Sequence, residues 1–299
     1  MFGLGVGETS KIAKVTEDDT GNGPGDWVHS DPGRVGSKVP PFIKPPMKEE
    51  DKIKLESCKS AYDFYKLFSP DTYVNNVIYQ TKLYCVQSNL NRLLDRISPE
   101  AYRCTEAFLL YSGYNRVPKK KMVWETRPDC RNEFIASHVR RDRVDSVLQG
   151  LHFSDNTKMN NDSLYEVRPI FKNLNQEGIK WFNREDKYSI GEVMIPYYGR
   201  QSSSKQSMLS EPSRYGFKVW SLCTHDGCGV HFEPCFGSQT VVEDQGLGQG
   251  PSVVLDLVTK ASIPEGSEVF FDNQFTTCSL LERLSKMKLG GTGTVSLNR

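Results

Sequence analysis

The sequence predicts an α/β protein, with a helical N-terminal region followed by a mixed sheet with flanking helices. Three observations predict it. Between residues 57 and 148, apolar residues recur at helical spacing behind Ser-Pro start signals. From Tyr188 onward the pattern changes to β-branched and aromatic runs bounded by Gly, Asp and Pro. Across 267–295 a short apolar strand, a helix and another strand follow one another, an order that builds a layered sheet.

Residues 1–55 read as a disordered arm. Gly21-Asn-Gly-Pro-Gly25 and Val39-Pro-Pro-Phe-Ile-Lys-Pro-Pro46 defeat helix and strand alike, and order is expected to begin near Leu55. The alternative is that Trp27 and Phe42 dock this arm on a partner or on the domain. Ala61, Phe64, Tyr65 and Phe68 share one helical face. Ser69-Pro70 opens a second helix, whose face carries Val74, Val77 and Ile78. Ser98-Pro99-Glu100 opens a third, with Ala101, Phe108 and Leu109 as its apolar stripe. Glu133–Leu148 reads as one further helix, turning Ile135, Val139, Val147 and Leu148 inward.

Strands are expected at Tyr188–Tyr198, Tyr215–Thr224 and Val230–Phe236. A helix follows at Pro251–Ala261, a strand at Ser267–Asp272, a helix at Thr276–Met287 and a strand from Gly291 to Val295. That order is the one an RNase H-like fold has, here a partial one. The division expected is a mainly helical region at 56–180 and the sheet domain at 181–299.

Composition narrows the function classes. Of 299 residues, 37% are hydrophobic and 25% charged, which is ordinary globular usage. The formal net charge of +1 gives no global attraction to nucleic acid, so any DNA binding must come from local patches. No apolar run approaches the ~18 residues that span a membrane. Met1–Ser10 lacks the features of a signal peptide. Eight cysteines are scattered without a repeating pattern, so reduced thiols and an intracellular location are expected. Cys223, His225, Cys228, His231 and Cys235 have spacings that suit zinc. However, Asp226-Gly227 reads as a hairpin turn. Pairing across it puts Cys223, His225 and Cys228 on one face and His231 and Cys235 on the other, so a structural role is favoured.

Six segments carry a resemblance. They are Lys119-Lys-Lys-Met-Val-Trp-Glu125; Arg140-Arg-Asp-Arg143 with Leu151-His-Phe-Ser-Asp-Asn156; Val167-Arg-Pro169; Met194-Ile-Pro-Tyr-Tyr-Gly-Arg200; Arg214-Tyr-Gly-Phe-Lys218; and Phe271-Asp-Asn-Gln-Phe-Thr276. In this order, over roughly residues 57–299, they resemble the piggyBac transposase family. The resemblance implies a nuclear DNA transposase whose RNase H-like core holds three aspartates on two Mg²⁺ ions. Two such cations clamp the attacking and leaving oxygens of a phosphodiester, and they require carboxylate ligands.

The sequence departs from that pattern where the chemistry sits. The position of the first aspartate is Gly191, which offers no ligand oxygen. Glu192 beside it should point to the opposite face of its strand. The second aspartate matches Asp272, read as a vestigial metal ligand; a turn aspartate is the bland alternative. The third has no counterpart before Arg299, nor has the family's cysteine-rich zinc domain. Leu209 and Glu211 stand where the family is more basic. The chain is therefore expected to be a DNA-associated protein without catalytic activity, holding no cofactor as it stands although the family uses Mg²⁺. An active transposase fragment and a non-DNA-binding interaction module are the alternatives. Lys119, Lys120, Lys121, Arg140, Arg141 and Arg143 are the candidate phosphate contacts; a solvated charged face is the bland reading. DNA is the expected partner through weak contacts, with a possible homodimer and no membrane. Trp124 and Trp181 are expected to be core aromatics.

Overall fold

A computed structural model of the chain describes residues 39–159, 162, 164–197, 206–207, 215–235, 242 and 244–295. The arm up to residue 38 with Trp27, and Leu209 and Glu211, lie outside the described residues. Two compact units emerge: Ser57–Asn173, and the described parts of Met1–Glu56 together with Leu174–Arg299.

The first unit is helical. Helix α2 (Ala61–Phe68) starts with a capping box: the Ser60 hydroxyl accepts from the Asp63 amide, and the Asp63 carboxylate accepts from the Ser60 amide. Pro70 caps α3 (Asp71–Gln87), one residue later than Ser69 was expected to. Ser98 caps α4 (Pro99–Tyr114), with Pro99 in its first turn, as its sequence signal predicts. Val74, Val77, Ile78, Cys85, Ala101, Tyr102 and Val147 form one apolar cluster with Leu93 and Ile97 of the short 3₁₀ turn Asn91–Arg96. A second cluster joins Phe108, Val123, Ile135, Val139 and Val144. Burying each such aliphatic or aromatic side chain contributes roughly 1.5–3 kcal/mol.

Two expectations in this unit are corrected. Leu109 is exposed, because the step from Phe108 turns it off the stripe that Ala101, Thr105 and Phe108 bury. Glu133–Leu148 is not one helix. It breaks into α5 (Glu133–His138) and α6 (Arg141–Gly150) at Val139 and Arg140, both extended. The Val139 carbonyl, released from the helix, accepts the Trp124 indole N–H at 2.6 Å. That bond fixes Trp124 in the second cluster, where its ring lies 4.9 Å from that of Phe108.

The second unit is a six-stranded mixed sheet with the order β2-β3-β1-β5-β6, and β4 pairs with β3 as well. Its strands are β1 (Lys187–Pro196), β2 (Gln206–Ser207), β3 (Tyr215–Thr224), β4 (Gly229–Cys235), β5 (Glu268–Phe271) and β6 (Gly290–Gly293). β1 runs antiparallel to β3 and parallel to β5, and β5 runs parallel to β6. Helices α8 (Gln249–Ala261) and α9 (Cys278–Lys286) supply Val253, Val254, Leu257, Leu280 and Leu284 to a core shared with Tyr188, Ile190, Trp220, Leu222 and Phe271.

One helix was not predicted. α7 (Arg168–Phe182) contains Pro169, two asparagines and Gly178, which weaken its signal. In the sheet unit these residues serve packing. A Cβ at Gly178 would lie 2.6 Å from the Val230 carbonyl oxygen. Asn175 hydrogen-bonds both backbone groups of Phe232, accepting its N–H at 2.8 Å and donating to its carbonyl at 3.0 Å. The helix thereby closes the open edge of β4. The start of order is also earlier than expected. Helix α1 (Glu49–Ser57) begins six residues before Leu55, and the proline-rich stretch ahead of it is docked. Arg184 donates to the Pro45 carbonyl at 2.9 Å, Lys180 pairs with Asp51 at 2.6 Å, and the Phe42 backbone abuts Gly266. Prolines preclude helix or strand at 39–46, yet these contacts hold the segment in place.

Candidate functional site

Two places carry the residues singled out above. The first is the sheet. Ile190 of β1 pairs with Phe271 of β5 in parallel register. One step further along both chains stand Gly191 and Asp272, side by side at the carboxyl end of β5. Strand alternation puts both on the face opposite Tyr188, Ile190, Val269 and Phe271. A Cβ at Gly191 would meet no atom within 4 Å, so the glycine is not there to relieve crowding. Asp272 is exposed and forms an Asx turn: one carboxylate oxygen accepts the Gln274 amide at 2.8 Å, and its carbonyl accepts the Thr276 hydroxyl at 2.7 Å.

Glu192 projects from the other face. It forms a buried ion pair with Lys218, whose ammonium lies 5.7 Å from the Trp220 ring centroid. Its second carboxylate oxygen is buried without a hydrogen-bond partner. Among the described residues, Asp272 belongs to no cluster of three metal-ligating side chains. One exposed carboxylate beside a glycine does not fit a pair of Mg²⁺ ions, which require several shared and separate oxygen ligands.

The one such cluster among the described residues is Glu185, Asp186 and His225, at the opposite end of β1. It is largely exposed, and Lys44 already supplies a cation to Glu185 at 3.3 Å. The cysteine and histidine set does not converge. The hairpin closes through three residues, His225-Asp226-Gly227, with Gly227 at φ +84, where two were expected. A register shift at Leu222/Cys223 sets His231 opposite Leu222, on the core face, and Cys223 on the other.

The second place is a cleft of about 520 Å³ in the helical unit. Arg96, Trp124, Ala136, Arg140, Arg141, Asp142 and Arg143 line it. Arg140 caps α6 without a side-chain hydrogen bond, and Arg141–Arg143 form the helix's first turn. Arg141 pairs with its neighbour Asp142 at 3.1 Å. Among the described residues no carboxylate pairs with Arg96, Arg140 or Arg143; Arg96 donates only to the Ser146 hydroxyl. The lysines differ. Lys120 and Lys121 both meet Asp145, at 2.8 and 3.7 Å, and the Lys120 ammonium holds that carboxyl below its ordinary range. Lys119 is exposed. Arg96 was missed in the sequence, although its spacing of four from Arg92 could have marked a basic face.

Comparison with known proteins places these features in context. A family model described as Transposase IS4 matches residues 60–299. The human PiggyBac transposable element-derived protein 2 is 33% identical over 241 residues, covering 79% of this chain and 40% of that protein. The chain belongs to the piggyBac-type transposase family. The human PiggyBac transposable element-derived protein 3 is 32% identical over the same length. This family member spans about two-fifths of the length of those relatives. A solved structure, the cryo-EM structure of piggyBac transposase synaptic complex with hairpin DNA, aligns with a TM-score of 0.65 at 21% identity. It covers 79% of this chain and 50% of that one. The likeness establishes the fold: a helical N-terminal region and an RNase H-like mixed sheet.

Proposed function

We propose that this transposase-family chain is a nuclear, DNA-associated protein that does not carry out cut-and-paste chemistry. The observation that carries the reading is Gly191 beside Asp272, with Glu192 on the opposite face of the strand and paired there with Lys218. Sequence beyond Arg299 does not alter position 191. DNA association is supported by the unpaired guanidiniums of the cleft and by the likeness to a transposase solved with hairpin DNA. Such contacts bind phosphates and carry little sequence information. Exposed apolar side chains on α4, Leu110 and Tyr114, favour a second reading, an interaction or dimerisation module that need not touch DNA.

Salt dependence separates the two. Affinity for a short duplex is measured from low to physiological salt, for the original chain and for the triple variant Arg140→Ala, Arg141→Ala, Arg143→Ala. The proposal predicts a slope in log affinity against log salt that falls by up to about 2.7 in the variant, at about 0.9 per phosphate released. Absence of salt-dependent binding in the original chain would decide for the interaction module.

A further inference from the structure

We propose that the cleft at the start of α6 receives one unpaired nucleotide of a DNA strand, its base against Trp124 and its flanking phosphates on Arg96, Arg140 and Arg143. The inference rests on the DNA-associated reading and narrows the substrate that this cleft takes. Its volume, about 520 Å³, falls in the range of roughly 300–1,000 Å³ that encloses a small molecule. A duplex is far too wide to enter; a single nucleotide is not. A surface that only tracks duplex phosphates needs neither a recess nor an aromatic wall, and this cleft has both.

Trp124 is a wall and not a mobile side chain. Its indole N–H is held by the Val139 carbonyl, and Phe108 packs against its ring. Half-buried in this way, it offers a fixed apolar surface at little ordering cost, and bases of any identity stack on such surfaces. Ala136 of α5 leaves the opening beside it. Around this wall gather the guanidiniums of Arg96, Arg140 and Arg143, which have no carboxylate partner among the described residues. Their mutual repulsion is relieved by an anion, and the uncapped first turn of α6 adds the positive end of a helix. Arg141 is left out of the assignment because Asp142 already neutralises it.

The test compares oligothymidylate with a duplex of equal length, by fluorescence anisotropy, on the full chain. Ala136→Leu fills the recess from a half-buried helix position, and Trp124→Ala removes the wall. Thermal unfolding reports whether either variant has lost its fold; Ala136→Leu keeps the test valid if Trp124→Ala does not fold. Base stacking on an aromatic wall corresponds to about fivefold or more in affinity. Ala136→Leu is therefore expected to weaken oligothymidylate binding by at least about fivefold and leave duplex binding unchanged. Equal losses for both ligands, or no loss for the single strand, would overturn the nucleotide pocket and leave DNA association standing. If the original chain binds neither ligand, the DNA-associated reading falls and the pocket with it.

Discussion

In the sheet, Glu192 and Lys218 meet inside the protein, and Lys260 joins Glu233 and Asp256 beside the buried His231. In the cleft, Arg96, Arg140 and Arg143 have no carboxylate partner among the described residues, and Asp142 there pairs with Arg141. Ionisable groups are spent on structure in one region and left available in the other. Under the proposed function, the contrast accounts for the loss of one activity and the retention of another. Two-metal chemistry needs every ligand at once, so on that proposal one glycine is enough to end it. Phosphate binding is close to additive over cations, so it survives piecemeal change.

The largest effect that would sharpen this contrast is on stability. Lys218→Met leaves the Glu192 carboxylate buried and unpaired, which is expected to cost about 3–5 kcal/mol. Denaturant unfolding measures it, and the double change with Glu192→Gln should recover a large part. A loss below about 1 kcal/mol would place the pair among exposed ones and break the contrast. In the helical unit, a charge change should act on binding. Asp145→Asn frees Lys120 and Lys121, and the salt slope of duplex affinity is expected to steepen by up to about 0.9 for each lysine that reaches a phosphate. An unchanged slope would remove these lysines from the contact surface.

Smaller effects follow in the sheet. Asn175→Ala uncovers the Phe232 backbone at the β4 edge and is expected to cost about 1–3 kcal/mol, read from the thermal midpoint. Burial pushes the His231 imidazole below its ordinary pKa, so the folded protein favours the neutral ring. That contribution is present above about pH 6.5, the ordinary histidine value, and is lost as pH falls below it, because the unfolded chain then binds the extra proton. Stability measured at mildly acidic pH should therefore be lower than at neutral pH, and His231→Gln should flatten the difference. Smallest of all, Gly191→Asp adds a side chain into open space and should change stability by less than about 1 kcal/mol.

Much of this architecture was legible in the residues. Ser-Pro signals mark α3 and α4, and alternation finds β1, β3 and β4 within one or two residues. What escaped depends on tertiary contacts. α7 hides because Gly178 and Asn175 serve the edge of β4 and lower the helix's own propensity. The break between α5 and α6 depends on Trp124 claiming the Val139 carbonyl, and the docked segment at 39–46 depends on Arg184 and Gly266, far along the chain. At the site, alternation suffices to turn Glu192 away from Gly191. The spacing of Arg92 and Arg96 could have marked a basic face, but that Arg96 joins the arginines of α6 depends on the fold.

Binding and cleavage followed together on one end-labelled transposon-end duplex, with Mg²⁺ or Mn²⁺ present, test the central claim most directly. The account predicts that the original chain saturates the duplex and yields no nicked product, and that Asp272→Ala behaves identically. Nicked product from the original chain that disappears in Asp272→Ala would contradict it, because a metal site would then be working beside a glycine.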